Sequence, residues 1–121
     1  MAGPMIRATL HLRVRAGREP EFEAAWRRVA QATRRWPGNL RQALLRTADG
    51  GYVITSDWVD RGAFGSFERS DEQDVLTAPI RALRESARME LTEVVVHVDA
   101  VDPADAVDMV DRADAVDMVD R

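Results

Sequence analysis

Apolar and polar residues alternate from Met5 to Arg15. Ile6, Ala8, Leu10, Leu12 and Val14 share one side; Arg7, Thr9, His11, Arg13 and Arg15 share the other. A period of two predicts a strand with one buried face. The period then lengthens: Phe22, Trp26, Val29, Thr33 and Trp36 recur at helical spacing and predict an amphipathic helix over residues 20–35. Pro20 suits its first turn, where the missing N–H costs nothing, and Glu19, Glu21 and Glu23 favour the positive helix end. Pro37-Gly38 stops it, and residues 39–47 read as a second strand. Asp49-Gly50-Gly51 is hairpin chemistry leading into Gly51–Asp60, where Tyr52, Val53, Ile54, Thr55, Trp58 and Val59 suit a central strand.

Beyond it, Asp60 is an N-cap for a short helix carrying Phe64 and Phe67. Ser70 and Thr77 are further caps, the latter with Pro79 just inside a helix bearing Ile80, Leu83 and Ala87. Residues 89–98, with Val94, Val95 and Val96 in a row, predict the last strand. The order β-α-β-β-α-β over residues 5–99 is that of an α+β, ferredoxin-like domain, a four-stranded antiparallel sheet in order 4-1-3-2. One helical layer covers one sheet face, yet the last three strands are apolar on both. A homodimer, with a second copy on the other face, follows from this pattern.

Composition narrows the function classes. The chain of 121 residues holds one domain, has no cysteine for a disulfide or thiolate site, and has no apolar run near the roughly 20 residues that span a bilayer. A cytoplasmic protein without a membrane partner is expected. The net charge of −4 is unevenly placed. Residues 102–121 carry seven Asp and two Arg, leaving 15 arginines against 14 acids elsewhere, so no nucleic-acid footprint is expected. Residues 100–121 form an acidic tail, in which ADAVDMVDR at 104–112 repeats unchanged at 113–121. Its three-residue period drifts around a helix and gives no apolar stripe; a solvated extension and an arm across a partner are the two readings.

His11 and His97 fall on neighbouring predicted strands. A pairing near Leu10 and Val94 sets them roughly 13 Å apart, too far to share a metal, and sets Glu93 opposite His11. No metal site is expected. Asn39, Arg41, Gln42, Ser56 and Asp57 are polar groups on strands that are otherwise buried, and buried polar groups require partners.

MIRATLHLRVRAG, PGNLRQALLR and YVITSDWVD, in the β-α-β-β-α-β order, resemble the antibiotic biosynthesis monooxygenase family of the dimeric α/β-barrel superfamily, over residues 5–98. The resemblance implies a homodimer with one pocket per protomer between sheet and helices. It also implies O₂ chemistry on an electron-rich aromatic or a haem without flavin or metal. Trp58 matches the strand tryptophan of the anthrone-oxidising members, but Ile54 stands where they have asparagine, four residues earlier. The haem-degrading members need a histidine on the later helix; residues 70–88 contain none. The expected function is therefore cofactor-independent oxygenation of a polycyclic, polyketide-type aromatic, with O₂ as co-substrate. A cyclase or aromatase using the same pocket and a non-catalytic binding module are the alternatives. In that reading His11 is the base and Asp57 the remaining carboxylate. Arg41 and Tyr52 steady the oxyanion, and Trp58, Gln42, Asn39 and Phe64 contact substrate.

Overall fold

The structure, a computed structural model, describes residues 3–101 and Ala104; the expectations for the acidic repeat lie outside the described residues. Seven elements follow in order: β1 (Ile6–Val14), α1 (Glu19–Thr33), β2 (Asn39–Arg46), β3 (Tyr52–Trp58), α2 (Arg61–Glu68), α3 (Asp71–Leu83) and β4 (Arg84–Glu93). The strands lie in the order β2-β3-β1-β4, every neighbour antiparallel. This is the expected ferredoxin-like sheet with one additional helix. No helix among the described residues is long and apolar enough to cross a membrane.

The alternation in β1 decides where the core sits. Ile6, Ala8, Leu12 and Val14 are buried beneath the helices, and Phe22, Ala25 and Val29 of α1 meet Leu12, Val14, Tyr52 and Ile80 in one cluster. Ala8, Trp58 and Phe64 form a second cluster toward the other end. α1 closes through Trp36 N–H donating to the Thr33 carbonyl (2.8 Å), and Gly38 follows at φ +89°. A Cβ at Gly38 would lie 2.4 Å from the Ala63 Cβ of α2, so the glycine serves both the turn and the close approach.

Two local expectations need correction. Asp60 and Ser70 do cap helices, accepting from the amides of Ala63 (2.8 Å) and Gln73 (3.0 Å). Thr77 does not; it lies inside α3 and its hydroxyl donates to the Gln73 carbonyl (2.9 Å), the back-bond open to a mid-helix threonine. β4 begins directly after α3, at Arg84, five residues earlier than expected, and ends at Glu93. Leu10 therefore faces Met89, His11 faces Arg88, and Glu93 faces Ile6. The run Val94–Val96 drew the expected strand toward the C-terminus. In the structure only Val94 continues the ladder, donating its amide to Met5.

Candidate active site

A bulge at the start of β2 sets the chemistry of the neighbouring sheet surface. The register passes from Asn39 opposite Trp58 to Arg41 opposite Asp57, so Leu40 is an extra residue. Without it, Asn39 and Arg41 would share a face. With it, Asn39 and Gln42 both face the helices, and Arg41 turns to the open side of the sheet.

Between that sheet surface and the helices lies a cavity of about 370 Å³, toward the small end of the roughly 300–1,000 Å³ usual for small-molecule sites. Its lining combines Trp58, Phe64 and Phe67 with Leu10, Ile54 and Met89 from the sheet. Trp58 is fully buried, stacked on Phe67 (centroids 5.1 Å, 29° between planes) and edge-on to Phe64 (5.8 Å, 68°). Its indole N–H donates to the Ser56 hydroxyl (3.0 Å), which fixes the ring and leaves the serine proton free to point elsewhere.

The polar part of the wall comes from α1, β2 and β3. The Gln42 amide nitrogen donates to the Ala30 carbonyl of α1 (3.1 Å) and to Asn39 Oδ1 (3.4 Å). Thr33 also lines the cavity, one turn after Ala30. Arg81 and Arg84 also line the cavity. Arg81 is held by Thr77, by the Asp74 carbonyl (3.0 Å) and by the Asp74 carboxylate (3.2 Å).

The residues singled out from the sequence separate into three places. Trp58, Gln42 and Phe64 line the cavity, and Asn39 stands beside Gln42. Tyr52 shares their sheet face but lies six residues from Trp58, roughly 20 Å along the strand. There it packs on Phe22 (5.0 Å), and its hydroxyl meets Glu23 and Arg46. Burial, and then the Glu23 carboxylate, push the Tyr52 phenol above its ordinary value.

His11, Arg41 and Asp57 lie on the opposite face. His11 stands between Val53 and Arg88, so Glu93 is not its neighbour. Asp57 accepts from Arg7 Nε (2.7 Å) and Nη2 (3.0 Å) and from Arg41 Nη1 (2.8 Å). The Arg7 hydrogen bonds, with Arg41 assisting against burial, hold its carboxyl below the usual aspartate value. A base on that face cannot reach a ligand held in the cavity on the helix side of the sheet. Among the described residues no three His, Cys, Asp or Glu side chains cluster as metal ligands would.

Sequence reasoning did not single out Thr33, Phe67, Arg81 or Arg84 for the site. Thr33 did leave a signal: it is the one hydroxyl on the otherwise apolar stripe Phe22, Trp26, Val29, Thr33, Trp36.

A family model described as antibiotic biosynthesis monooxygenase matches residues 5–76. No curated protein matches the chain. Among solved structures, SnoaB, a cofactor-independent oxygenase from Streptomyces nogalater, is 25% identical with a TM-score of 0.71, covering 81% of this chain and 100% of its own. An asparagine mutant of SnoaB superposes equally well (24%, TM-score 0.72, the same coverage). A conserved protein from Methanosarcina mazei Go1 is 14% identical with a TM-score of 0.68, covering 74% of this chain and 92% of its own.

Proposed function

The chain belongs to the antibiotic biosynthesis monooxygenase family, and from that membership we propose that it oxygenates a polycyclic aromatic bound against Trp58, without a flavin or metal. The observation that carries this reading is the aromatic cavity itself. Three rings from β3 and α2 converge on it, beside polar groups such as Gln42, Ser56 and Thr33. Such a site suits a flat, oxygen-bearing ring system. SnoaB, similar in fold, is described as cofactor-independent.

In this mechanism the substrate carries an acidic benzylic CH₂ beside a ring carbonyl. Loss of a proton gives a delocalised anion, which passes one electron to O₂. The resulting radical and superoxide combine into a peroxide. The O–O bond then breaks with loss of the remaining benzylic hydrogen: one oxygen stays as a new carbonyl, and the other leaves as water. Thus CH₂ plus O₂ becomes C=O plus H₂O, with no external reductant. Arg84 lines the cavity and, among the described residues, is in no ion pair; its guanidinium favours the substrate anion electrostatically. Glu68, also at the lining, is the carboxylate available to take the proton, replacing His11 in that role. Trp58, Phe64, Gln42 and Asn39 keep their roles as substrate contacts. Arg41, Asp57 and His11 belong to the sheet face away from it.

The same reading includes a cytoplasmic homodimer. Leu45 on the open sheet face is 49% exposed, and beyond β4 Val95, Val96 and Val98 are 94%, 77% and 90% exposed. A second copy covering this apolar surface removes it from water. Anthrone is the test substrate. Oxygen uptake matching anthraquinone formed one to one, in the presence of a chelator, is the expected result. Anthrone that binds without oxygen uptake would overturn the oxygenase reading and leave the binding or cyclising alternatives.

A further inference from the structure

Thr33 is 4% exposed, and its hydroxyl has no hydrogen-bond partner. Among the described residues, one other buried side-chain polar atom lacks a partner, the Asn39 Nδ2 amide. Thr33 lines the cavity together with Gln42, and Asn39 is hydrogen-bonded to Gln42. The Gln42 amide bonds Ala30, one turn before Thr33 on α1, and also bonds Asn39 on β2. A buried polar atom without a partner costs free energy in the empty protein, and two around one cavity-lining glutamine call for an oxygen atom to satisfy them. The bulge at Leu40 is what turns Asn39 toward this place at all.

We propose that Thr33, Asn39 and Gln42 form an oxygen-reading subsite that receives a ring carbonyl or phenolic oxygen of the ligand. This deepens the reading of the cavity as an aromatic site and rests on it. The Asn39 amide and the Thr33 hydroxyl donate to the ligand oxygen. Gln42 Oε1, which accepts from no described residue, accepts the hydrogen bond of a phenolic O–H. Thr33 is thus a specificity-determining residue: it distinguishes an oxygenated ring from a hydrocarbon of the same outline, because a ligand without the oxygen leaves the buried groups unpaired. Ile54, apolar and on the β3 side of the same cavity, offers no competing donor.

The test compares anthrone with 9,10-dihydroanthracene, the same three-ring frame lacking the carbonyl, by quenching of tryptophan fluorescence. The wild-type protein is expected to prefer anthrone by about tenfold or more. Thr33→Val, equal in outline, should weaken anthrone by about tenfold and leave dihydroanthracene unchanged. Thr33→Ser should retain the preference. Thr33→Val should also melt no lower than wild type without ligand, since it removes an unpartnered hydroxyl. Unchanged anthrone affinity in Thr33→Val would overturn the proposal. So would equal loss of both ligands, or a lowered melting temperature from a hydroxyl already satisfied within the protein. Binding with the expected selectivity but no oxygen uptake would overturn the oxygenase chemistry and sustain the subsite. Oxygen uptake with no selectivity change would do the reverse. If neither ligand binds the wild type, both fall.

Discussion

Asp57→Asn tests whether the buried carboxylate is a structural anchor or a catalytic base. The side chain is 1% exposed, while its partners Arg7 and Arg41 are 45% and 48% exposed. An asparagine oxygen can replace Oδ2 and keep the bonds from Arg7 Nη2 and Arg41 Nη1. Its Nδ2 then points N–H against the Arg7 Nε–H that Oδ1 had accepted at 2.7 Å. One charged hydrogen bond is lost and the other two are weakened by the missing charge. A hydrogen bond to a charged group contributes about 1.5–3 kcal/mol. Breaking a fully buried pair costs about 3–5 kcal/mol, but the half-exposed arginines rehydrate, so the expected loss is about 2 kcal/mol.

Urea denaturation at fixed protein concentration measures it, and its pH dependence supplies the sign. The folded-state pKa of Asp57 is lowered, chiefly by the Arg7 hydrogen bonds. The stabilisation is therefore complete above the unfolded value near 3.9 and fades as pH falls through the lower folded value. The gap between wild type and Asp57→Asn should be constant from neutrality to about pH 5 and shrink steadily below about pH 4. Turnover per folded molecule should not change, because the carboxylate lies on the sheet face away from Trp58. Equal stability at pH 7, or a gap that persists undiminished into acid, would refute the anchor. Loss of turnover with stability intact would restore Asp57 as a base.

Trp58→Ala should cost about 3–5 kcal/mol in thermal or urea unfolding and weaken anthrone binding, read from quenching of Trp26, which also lines the cavity, since it empties the wall shared with Phe64 and Phe67. His11→Ala should leave turnover within about twofold, whereas a general base is worth roughly 10²–10⁴-fold, so steady-state oxygen uptake separates the two readings. Gly38→Ala should destabilise by more than about 2 kcal/mol, adding the Ala63 clash to the penalty of a positive φ, as read by melting temperature. Val95→Asp, at a residue 94% exposed in the protomer, should leave the fold intact but shift sedimentation toward monomer if a second copy covers it.

The fold was legible because its signals are local: alternation in β1, the helical stripe in α1, glycine at the hairpin, and the Asp60 and Ser70 caps. Registers were not legible, and the site depends on them. Alternation states which residues of a strand share a face, and leaves open which face of the next strand joins them; a slip by one residue exchanges the faces. His11 and Trp58 each lie in the strand that their local pattern predicts. Pairing Ile6 with Trp58 and Arg7 with Asp57 separates them, placing Trp58 beneath the helices with the apolar face of β1. β4 shows the same difficulty. Its five-residue offset, an odd number, removed Glu93 from His11, and Val94–Val96 could not fix the register because those residues are apolar on both faces. The Leu40 bulge is one extra residue with no mark in the sequence, yet it decides that Asn39 and Gln42 look inward and Arg41 outward. Thr33, by contrast, stood in view as the polar break in an apolar stripe. Its meaning required knowing that the stripe covers a cavity at that turn rather than a packed core, and only the pairing of β2 with β3 supplies that.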